Sequence, residues 1–485
     1  MLLVAILLVP VVAGLVSGVV PWRPWVGWLN TSSVAAVLAL GIVASLRTVH
    51  HGSLRALNGV LRIDALSAFM VLVIGAVALL ATWQSVRYLT TEMAQGRCSV
   101  RRASLYGVLV QGFISAMLLT VLAANVGVMW VAIEATTIVT TFLVGHRNTR
   151  GSLEASWKYV IICSVGIAIA FLGTVLLYFA TLHAGFGHAT LEWTSLVAES
   201  HHLNPGVVRL AFALLVVGYG TKVGLAPMHS WLPDAHSQAP APVSALMSGV
   251  LLSVAFYVLL RCKAVADSAI GPSFARGLLV TVGLLSLVVA TSLLLHQRDY
   301  KRMLAYSSME HVGLLALGAA AGTPLAIGAV LLHILGHGLA KGVLFLTSGE
   351  LFELEGTSAI EPIRGLLLRR PVLGGLYAFA LIALLGLPPF SLFVSELTMF
   401  RAEVQVGLGW VVAITLACLT LIFAAMATYG RHMLFGARDE SEPVRATPAV
   451  VSLPLAIALV SCGALGIVAW PLGSLLHAAA QVVVP

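Results

Sequence analysis

Residues 218–244 read GYGTKVGLAPMHSWLPDAHSQAPAPVS and interrupt an otherwise apolar part of the chain. Lys222 ends an apolar run that begins near Val207, and four prolines follow within sixteen residues. A second apolar run begins at about Ala245. A membrane helix that is broken at depth and carries a lysine is costly, and it is tolerated only where backbone and charge line a polar cavity. The stretch therefore predicts a broken membrane helix beside such a cavity.

The composition places the whole chain in a membrane. Its 485 residues are 59% hydrophobic and 9% charged, and the mean hydropathy is +1.00. Soluble domains carry about 25% charged residues, so the sequence predicts a polytopic membrane protein without a soluble domain. The net charge of +8 comes mainly from loop arginines, which fix topology, so nucleic-acid binding is not expected. The five scattered cysteines form no CxxC pair, which argues against an iron–sulfur cluster or structural zinc.

A helix needs about 20 apolar residues to cross the bilayer, and by that measure the chain holds about fourteen spans. Their approximate limits are 1–20, 29–47, 63–86, 104–123, 125–145, 156–181, 207–230, 242–262, 276–296, 301–321, 325–350, 372–400, 405–430 and 447–472. One set of alternate loops, which includes Arg438 and Arg445, holds about twice as many Lys and Arg residues as the other. The richer set belongs in the cytoplasm, so both termini are predicted to lie outside.

A second span is also interrupted. Residues 381–400, LIALLGLPPFSLFVSELTMF, place Pro388 and Pro389 in mid-run and Glu396 just beyond. The two broken spans, the seventh and the twelfth, lie five spans apart. Because five is odd, units offset by five spans run in opposite directions, which is typical of inverted repeats with binding sites at the breaks.

The predicted fold is therefore an all-α polytopic membrane protein of about 14 transmembrane helices, with two inverted five-helix repeats that each contain a broken helix. The predicted divisions are 1–103 (N-terminal helices 1–3), 104–262 (the first repeat, helices 4–8), 276–430 (the second repeat, helices 9–13) and 447–485 (a C-terminal transmembrane helix and tail).

Two ionisable residues lie inside the first predicted repeat. Glu134 is far from either end of the fifth span, and an intramembrane acid is functional by default. The alternative is a local hydrogen bond with Thr136 or Thr137. Burial penalises the charged form of an acid or an amine, whereas an opposite charge nearby favours it. A mobile pair of Glu134 and Lys222 can therefore hold and release a proton, and the alternative for Lys222 is a side chain that extends to the interface.

The eleventh span, AVLLHILGHGLAKGVLFLTSGEL, carries His333, His337 and Lys341 at positions i, i+4 and i+8, on one stripe of a helix. The stripe covers about 12 Å at 1.5 Å per residue. Histidine changes charge near neutral pH, so these groups can relay protons through water. Two histidines one turn apart on one helix cannot bind opposite faces of a haem, which argues against haem ligation. Glu396 is expected to end the row.

Further ionisable or polar groups adjoin these positions and are candidates for accessory roles. They are Glu154, Lys158, His229, Asp234, His236, Ser253, Glu310 and His311. For Glu154 and Lys158, one turn apart and near a loop, a surface ion pair is the alternative to transport. For His229 and His236 the alternative is hydrogen bonding to the irregular backbone.

Several long motifs resemble those of the antiporter-like membrane subunits of respiratory complex I, Mrp sodium/proton antiporters and group 4 nickel–iron hydrogenases. The motifs are TKVGLAPMHSWLPDAHSQAPAPVSALMSGVLL (221–252), DYKRMLAYSSMEHVG (299–313), HGLAKGVLFLTSG (337–349) and GLPPFSLFVSE (386–396). The tenth-span SSMEH and the sixth-span LEASWKYVIICSVGIA most resemble the hydrogenase-4 component F branch.

The resemblance implies a proton path of two half-channels joined by a hydrated row of charges at mid-membrane, in a subunit without a redox cofactor. Glu134 matches the family's fifth-span glutamate, and Lys222 and Lys341 match its seventh-span and eleventh-span lysines. Glu396 matches the twelfth-span position, which is lysine or glutamate. Ser253 departs from the lysine or histidine that many members carry in the eighth span, which leaves open an inert scaffold whose channel has degenerated.

The expected function is that of a proton-translocating, antiporter-like subunit of a multisubunit respiratory oxidoreductase of the hydrogenase-4, formate hydrogenlyase or complex I type. Its expected partners are the other membrane and peripheral subunits of that assembly, whose redox chemistry supplies the energy, in the inner (cytoplasmic) membrane. No metal or cofactor is expected in this chain. The alternative is an Mrp-type cation/proton secondary antiporter subunit, and the coupled ion, proton or sodium, stays open.

Overall fold

The computed structural model describes residues 1–182, 190–436 and 447–484, and these ranges are almost entirely helical. Twelve of the described helices are long and apolar enough to cross a membrane. The predicted all-α membrane fold is therefore confirmed. Arg438 and Arg445, which contributed to the predicted orientation, lie outside the described residues.

The N-terminal part contains six long helices. They are α1 (Leu2–Val19), α2 (Pro24–His51), α3 (Ala65–Ala94), α4 (Val100–Leu122), α5 (Val126–Val144) and α6 (Arg150–Leu182). Glycines bring antiparallel neighbours together, since Gly41 lies against Val71, and Gly75 lies against Leu38. A short hairpin joins α2 to α3, formed by β1 (Leu54–Ala56) and β2 (Leu61–Ile63) with Leu54 paired to Ile63.

The central part contains the first interruption. Its elements are α7 (Trp193–Ala198), α8 (Pro205–Val223), α9 (Trp231–Gln238), α10 (Ala241–Leu246), a π-helical turn (Met247–Leu251) and α11 (Leu252–Ile270). The predicted seventh span ends as a helix at Val223, and residues 224–230 form the break before the short helix α9. The elements from α10 to α11 form one continuous helix that is buried along its whole apolar window.

The C-terminal part contains the second interruption. Its helices are α12 (Pro272–Leu294), α13 (Tyr300–Ala321), α14 (Pro324–Glu355), α15 (Leu366–Arg369), α16 (Pro371–Leu384), α17 (Ser391–Gln405), α18 (Gly409–Leu434), α19 (Ala449–Ile467) and α20 (Trp470–Val483). The predicted twelfth span is two short helices, α16 and α17, while the predicted tenth span is α13, which carries Lys301, Arg302 and Glu310. Neither is among the twelve apolar helices. The predicted tail contains a further helix, α20, which packs against α3 and α14.

The helix α14 lies at the centre of the bundle. Its most apolar window is completely buried, and it contacts α3, α10, α13, α16, α17, α19 and α20. Ionisable side chains in this window face the interior of the protein and not lipid or bulk water. In a membrane interior each unsatisfied polar group costs several kcal/mol, so the partners that these side chains find within the protein decide how costly their burial is.

The two breaks are built alike. Each begins with a Gly-Leu-x-Pro sequence, at Gly224–Pro227 and at Gly386–Pro389. Gly224 has φ +87° and Gly386 has φ +62°, a region that residues with a Cβ adopt rarely. An acid follows each glycine by ten residues, Asp234 after the first and Glu396 after the second. The same local signal therefore stops a helix and introduces a carboxylate at both places.

Candidate functional site

The first centre lies where α8 ends. Lys222 is fully buried, and its Nζ donates hydrogen bonds to Thr137 Oγ1 at 2.9 Å and to Tyr159 Oη at 2.5 Å. The amine also lies 4.7 Å from the centre of the Tyr159 ring. Because Gly224 ends the helix two residues later, Lys222 occupies the last turn, where the partial negative charge of the helix terminus favours a cation.

Glu134 lies beside this centre on α5 and is only half-buried. Its Oε1 accepts a hydrogen bond from Ser164 Oγ at 3.1 Å, while Oε2 is buried without a partner. The carboxylate acts electrostatically on Lys222, but the two groups make none of the ion pairs found among the described residues. Thr137, one turn from Glu134 on the same helix, holds the amine in its place.

Close packing of α6 on α8 fixes the position of the Lys222 side chain. An added Cβ at Gly218 would collide with the backbone of Ala170, and one at Gly166 would collide with Thr221. The two helices therefore approach backbone to backbone, and Tyr159 of α6 is brought to Lys222. Sequence reasoning missed Tyr159, because one tyrosine in an apolar span carries no distinctive signal.

Asp234 on α9 joins separate parts of the molecule at the surface. Its carboxylate bonds Lys158 of α6 at 3.0 Å and also Arg302 of α13. Lys158 in turn pairs with Glu154 at 2.7 Å, as the i, i+4 alternative anticipated. About half of the Lys158 and Arg302 side-chain surface is exposed, so this network lies at the edge of the protein, away from the buried lysines.

Of the two histidines that follow Lys222, His229 in the first break and His236 in α9, His236 is the more deeply buried. It is fully buried, both ring nitrogens lack a partner, and the ring stacks on Phe345 of α14 at 5.0 Å. Phe345 is one turn beyond Lys341, and the Lys341 charge acts on the His236 ring. His229 is half-buried, with Nδ1 unpartnered. His236 therefore lies between the first break and the central helix.

The second centre surrounds Lys341 on α14. The fully buried Nζ donates to the Leu304 carbonyl at 2.6 Å and to Ser307 Oγ at 2.5 Å, both on α13. Glu310, one turn further along α13, is buried and acts electrostatically on the amine. As in the first centre, the ammonium is held by neutral oxygen atoms, with a carboxylate nearby.

A chain of hydrogen bonds connects three helices beside Lys341. His311 Nδ1 lies 3.1 Å from His333 Nε2, and His333 Nδ1 lies 3.0 Å from Ser395 Oγ on α17. The ring of His337 lies 4.9 Å from that of His311, and both of its nitrogens are unpartnered. The predicted stripe of α14 is therefore joined by His311 of α13, and neutral imidazoles in such contact can pass a proton.

Glu396 ends this group at the second break. It is half-buried, and an added Cβ at Gly386 would collide with its Oε2, so the glycine makes room for the carboxylate. One donor atom from each of His311, His333 and Glu396 lies within 4.8 Å of the others, a composition that also suits a divalent cation. The two imidazoles, however, already hydrogen-bond one another, which favours proton exchange.

Two further polar side chains extend the buried set. Glu403, two turns beyond Glu396 on α17, is 1% exposed, and its Oε2 is unpartnered. Sequence reasoning missed it, although the i, i+7 spacing from Glu396 marks the same helix face. Ser253 is buried with its hydroxyl unpartnered, two residues after the end of the π-helical turn. Near the same turn, Ser248 hydrogen-bonds Ser308 of α13 at 2.7 Å.

Residues 123–422 match the family described as "NADH:quinone oxidoreductase/Mrp antiporter, TM". The chain belongs to this family. The matched range includes both breaks, Lys222, Lys341 and the histidine cluster, so the predicted resemblance of the motifs is confirmed. Both lysine centres of this member of the NADH:quinone oxidoreductase/Mrp antiporter family therefore lie within the segment that the family shares.

Individual relatives are consistent with this assignment. The chain is 35% identical over 384 residues to "Hydrogenase-4 component F homolog" of Methylacidiphilum infernorum (isolate V4), covering 79% of this chain and 81% of that protein. It is 32% identical over 348 residues to "Hydrogenase-4 component B" of Escherichia coli (strain K12), covering 69% of this chain and 50% of that protein. The chain thus spans half the length of the second relative.

A solved structure shares the fold. A chain of the membrane-bound sulfane sulfur reductase (MBS), described as an archaeal respiratory membrane complex, superposes with a TM-score of 0.88. The superposition covers 99% of this chain and 98% of that chain at 24% identity. The two chains therefore share one fold over nearly their whole lengths.

Proposed function

We propose that the chain translocates protons as an antiporter-like subunit of a multisubunit respiratory oxidoreductase of the hydrogenase-4 type. Redox chemistry in the partner subunits supplies the free energy. Family membership and the 35% identity to a hydrogenase-4 component F homolog support this assignment. The family description also names Mrp antiporters, which keeps a cation/proton secondary antiporter as the alternative.

The observation that carries the proposal is the bonding of Lys222 and Lys341, two of the four lysines that are buried among the described residues. Lys222 and Lys341 are fully buried, and each is held by hydroxyl or carbonyl oxygens. The hydroxyls of Thr137, Tyr159 and Ser307 both donate and accept hydrogen bonds, so they can partner an ammonium or a neutral amine. The Leu304 carbonyl only accepts. Because burial penalises the charged form, both protonation states are accessible to each lysine.

A buried pair elsewhere in the bundle shows the opposite arrangement. Arg261 Nη2 donates to Asp64 Oδ1 at 2.7 Å, and the guanidinium lies 4.0 Å from the centre of the Trp193 ring. An arginine stays charged in proteins, so this pair fixes α11 to α3 and exchanges no proton. Among the described residues, a second buried cation, Lys263, is likewise paired with a carboxylate, that of Asp267. The buried amines of Lys222 and Lys341 are held by neutral oxygens instead, and the buried Nζ of Lys301 has no hydrogen-bond partner.

We place the proton path along the ionisable residues of the two centres. Glu134 and Lys222 gate the first half-channel through Thr137 and Tyr159. His236 bridges to Lys341, because its ring stacks on Phe345 of α14, one turn beyond Lys341; this role compensates for the uncharged Ser253. His311, His333 and His337 carry the proton onward with Glu310. Glu396 and then Glu403 form the exit.

The inverted repeats 104–262 and 276–430 remain part of the proposal. The shared Gly-Leu-x-Pro breaks, each followed by an acid ten residues later, support them. We also propose a location in the inner (cytoplasmic) membrane with both termini outside. The excess of Lys and Arg in one set of loops supports that orientation.

The test removes the first lysine. In sealed vesicles that contain the assembled complex, Lys222→Ala is expected to lower redox-driven proton uptake by about 100-fold or more, the scale of a positioned proton-transfer group. Uptake is followed with a pH-sensitive dye, and assembly is checked by native electrophoresis. Proton uptake that is unchanged in an intact complex contradicts the assigned role.

Lys158→Gln is the matched control. It removes a lysine whose partners are the carboxylates of Glu154 and Asp234 at the protein edge, so proton uptake is expected to stay near normal. Purification in mild detergent distinguishes the two candidate functions, an oxidoreductase subunit and an Mrp-type antiporter subunit. Co-purifying redox subunits support the oxidoreductase, whereas an assembly of antiporter subunits without them supports the Mrp-type alternative.

A further inference from the structure

A lateral groove lies between α4, α5 and α6, away from the proposed proton path. Its volume is about 650 Å³, within the range of about 300–1,000 Å³ that small-molecule sites occupy. The groove is lined mainly by apolar side chains, namely Leu105, Leu109, Ile138, Phe142, Leu153, Trp157 and Val160. Arg102, His146 and Asn148 lie at its polar end.

A second cavity adjoins the polar end of this groove. Its volume is about 390 Å³, and it shares Arg102 and His146 with the groove. Its other polar lining residues include Arg97, Arg147 and Glu92. Three arginines therefore face one carboxylate. Arg97 is paired with Glu92 at 3.3 Å, which leaves the charges of Arg102 and Arg147 without an acid among the residues that line the cavity.

We propose that the two cavities together bind one anionic phospholipid, with the phosphate at Arg102 and Arg147 and an acyl chain in the apolar groove. Arginine is well suited to phosphate oxygens, because its planar fork donates two parallel hydrogen bonds. The excess positive charge complements an anionic headgroup. The long apolar groove offers no favourable contacts to a free phosphate ion, whereas its apolar side chains can pack against a hydrocarbon chain.

The position of the groove in the membrane agrees with this occupant. Arg102 lies in the first turn of α4, and His146 and Arg147 lie just beyond the end of α5, so the charged cavity is at the level of the lipid headgroups. Between His146 and Ile138 the groove follows α5 for about 12 Å, at 1.5 Å per residue. Trp157 lies on the groove wall and is 66% exposed, as is common for aromatic side chains near the interface.

The proposed lipid has a structural consequence for the first centre. Ile138 is one turn from Glu134 on α5, so the acyl chain would cover the lateral surface of the bundle next to the half-buried carboxylate. The bound lipid would then restrict the access of water and of freely diffusing lipids to the side of the bundle next to Glu134. Lipid binding itself does not depend on the proposed proton path.

Native mass spectrometry of the purified, delipidated complex tests the site. The probes are phosphatidylglycerol and phosphatidylcholine with identical acyl chains. We expect the wild-type complex to retain one more phosphatidylglycerol than the double variant Arg102→Gln/Arg147→Gln, and we expect no such difference for phosphatidylcholine. Arg101→Gln is the matched control, since Arg101 is exposed and lines neither cavity. It should behave as the wild type.

A second variant and a competition experiment distinguish a bound phospholipid from a simple anion or a neighbouring subunit. Leu109→Trp fills the groove and should reduce phosphatidylglycerol retention while the arginines stay in place. Equal retention of the two lipids, or unchanged retention in the arginine variant, overturns the proposal. Displacement of the lipid by inorganic phosphate with no effect of Leu109→Trp identifies a simple anion site. Cross-links from a photoreactive amino acid placed at position 142 to a neighbouring subunit identify a protein interface. Either result also overturns it.

Discussion

The two lysine centres both contain a buried amine, but they differ in the number of ionisable groups around it. Lys222 is in the last turn of a broken helix, with two hydroxyl partners and one half-buried acid, Glu134. Lys341 is in the middle of an unbroken helix of 32 residues. Glu310, His311 and His337 interact electrostatically with it, and His333 and Glu396 continue the group of ionisable residues away from the amine. The first centre is therefore sparse, and the second is crowded with groups that can hold a proton.

This difference predicts which single substitutions should reduce proton translocation most. In the sparse centre one acid and one amine have no substitute nearby, so each is expected to be indispensable. In the crowded centre neighbouring groups can replace one another, because protons move along whichever hydrogen-bonded route remains. The following predictions address this contrast between an irreplaceable first centre and a redundant second one.

Paired acid substitutions give the largest expected effect. Glu134→Gln should lower redox-driven proton uptake by about 100-fold, whereas Glu310→Gln should lower it by about tenfold or less, because Glu396 and the histidines remain. Both changes keep the shape of the side chain. Uptake rates in sealed vesicles, normalised to the amount of assembled complex, measure the difference. Equal losses of proton uptake in the two variants would contradict the proposal that only the second centre has groups that can replace one another.

Histidine substitutions examine redundancy within the second centre. His311→Gln/His333→Gln breaks the hydrogen-bonded chain to Ser395 and should lower proton uptake by about tenfold, whereas His337→Gln should lower it by about twofold. The reason is that His337 makes no hydrogen bond through its ring nitrogens. The same vesicle assay applies. A larger loss for His337→Gln than for the double variant would reverse the proposed order.

Packing at the first centre can be separated from its chemistry. Gly218→Ala should destabilise the protein by about 1–3 kcal/mol, as overpacking does, because the new methyl group collides with Ala170. Gly277→Ala is the control, since nothing lies within 4 Å of an added Cβ at that helix position. Thermal unfolding of the detergent-solubilised protein should show a lower midpoint for the first variant only. A similar midpoint for both would mean that α6 and α8 are not closely packed there.

The surface network should have the smallest effect on stability. Arg302→Gln removes one contact of Asp234, and exposed ion pairs contribute about 0–1 kcal/mol, so the unfolding midpoint should hardly change. Proton uptake is measured on the same preparation, with Arg298→Gln as the control from the loop before α13. A marked loss of stability would show that the ion pair between Arg302 and Asp234 makes a structural contribution larger than that of an ordinary exposed pair.

The fold could largely be predicted from the sequence, because apolar runs and prolines act locally. Both breaks lie where prolines interrupt a span. The twelfth span is nevertheless two short helices, since Gly386 already ends the first of them. The helix α20 was missed because the apolar run continues through the irregular residues that follow Ile467.

The side-chain contacts could be predicted only in part. The sequence marks Lys222 and Glu134 by charge, but it does not show that Thr137 and Tyr159 come between them, since that depends on the packing of α6 against α8. The link from His311 to His333 joins two helices and likewise has no local signal. The predicted roles of these residues in transport stay predictions, because geometry alone does not measure proton movement.

The double attachment of Asp234 has a consequence for how the two halves of the bundle are joined. One carboxylate holds Lys158 from one proposed repeat and Arg302 from the other. A change in the orientation of the short helix α9 therefore alters contacts with both proposed repeats. Because exposed ion pairs contribute little free energy, this connection aligns the two halves without fixing them rigidly.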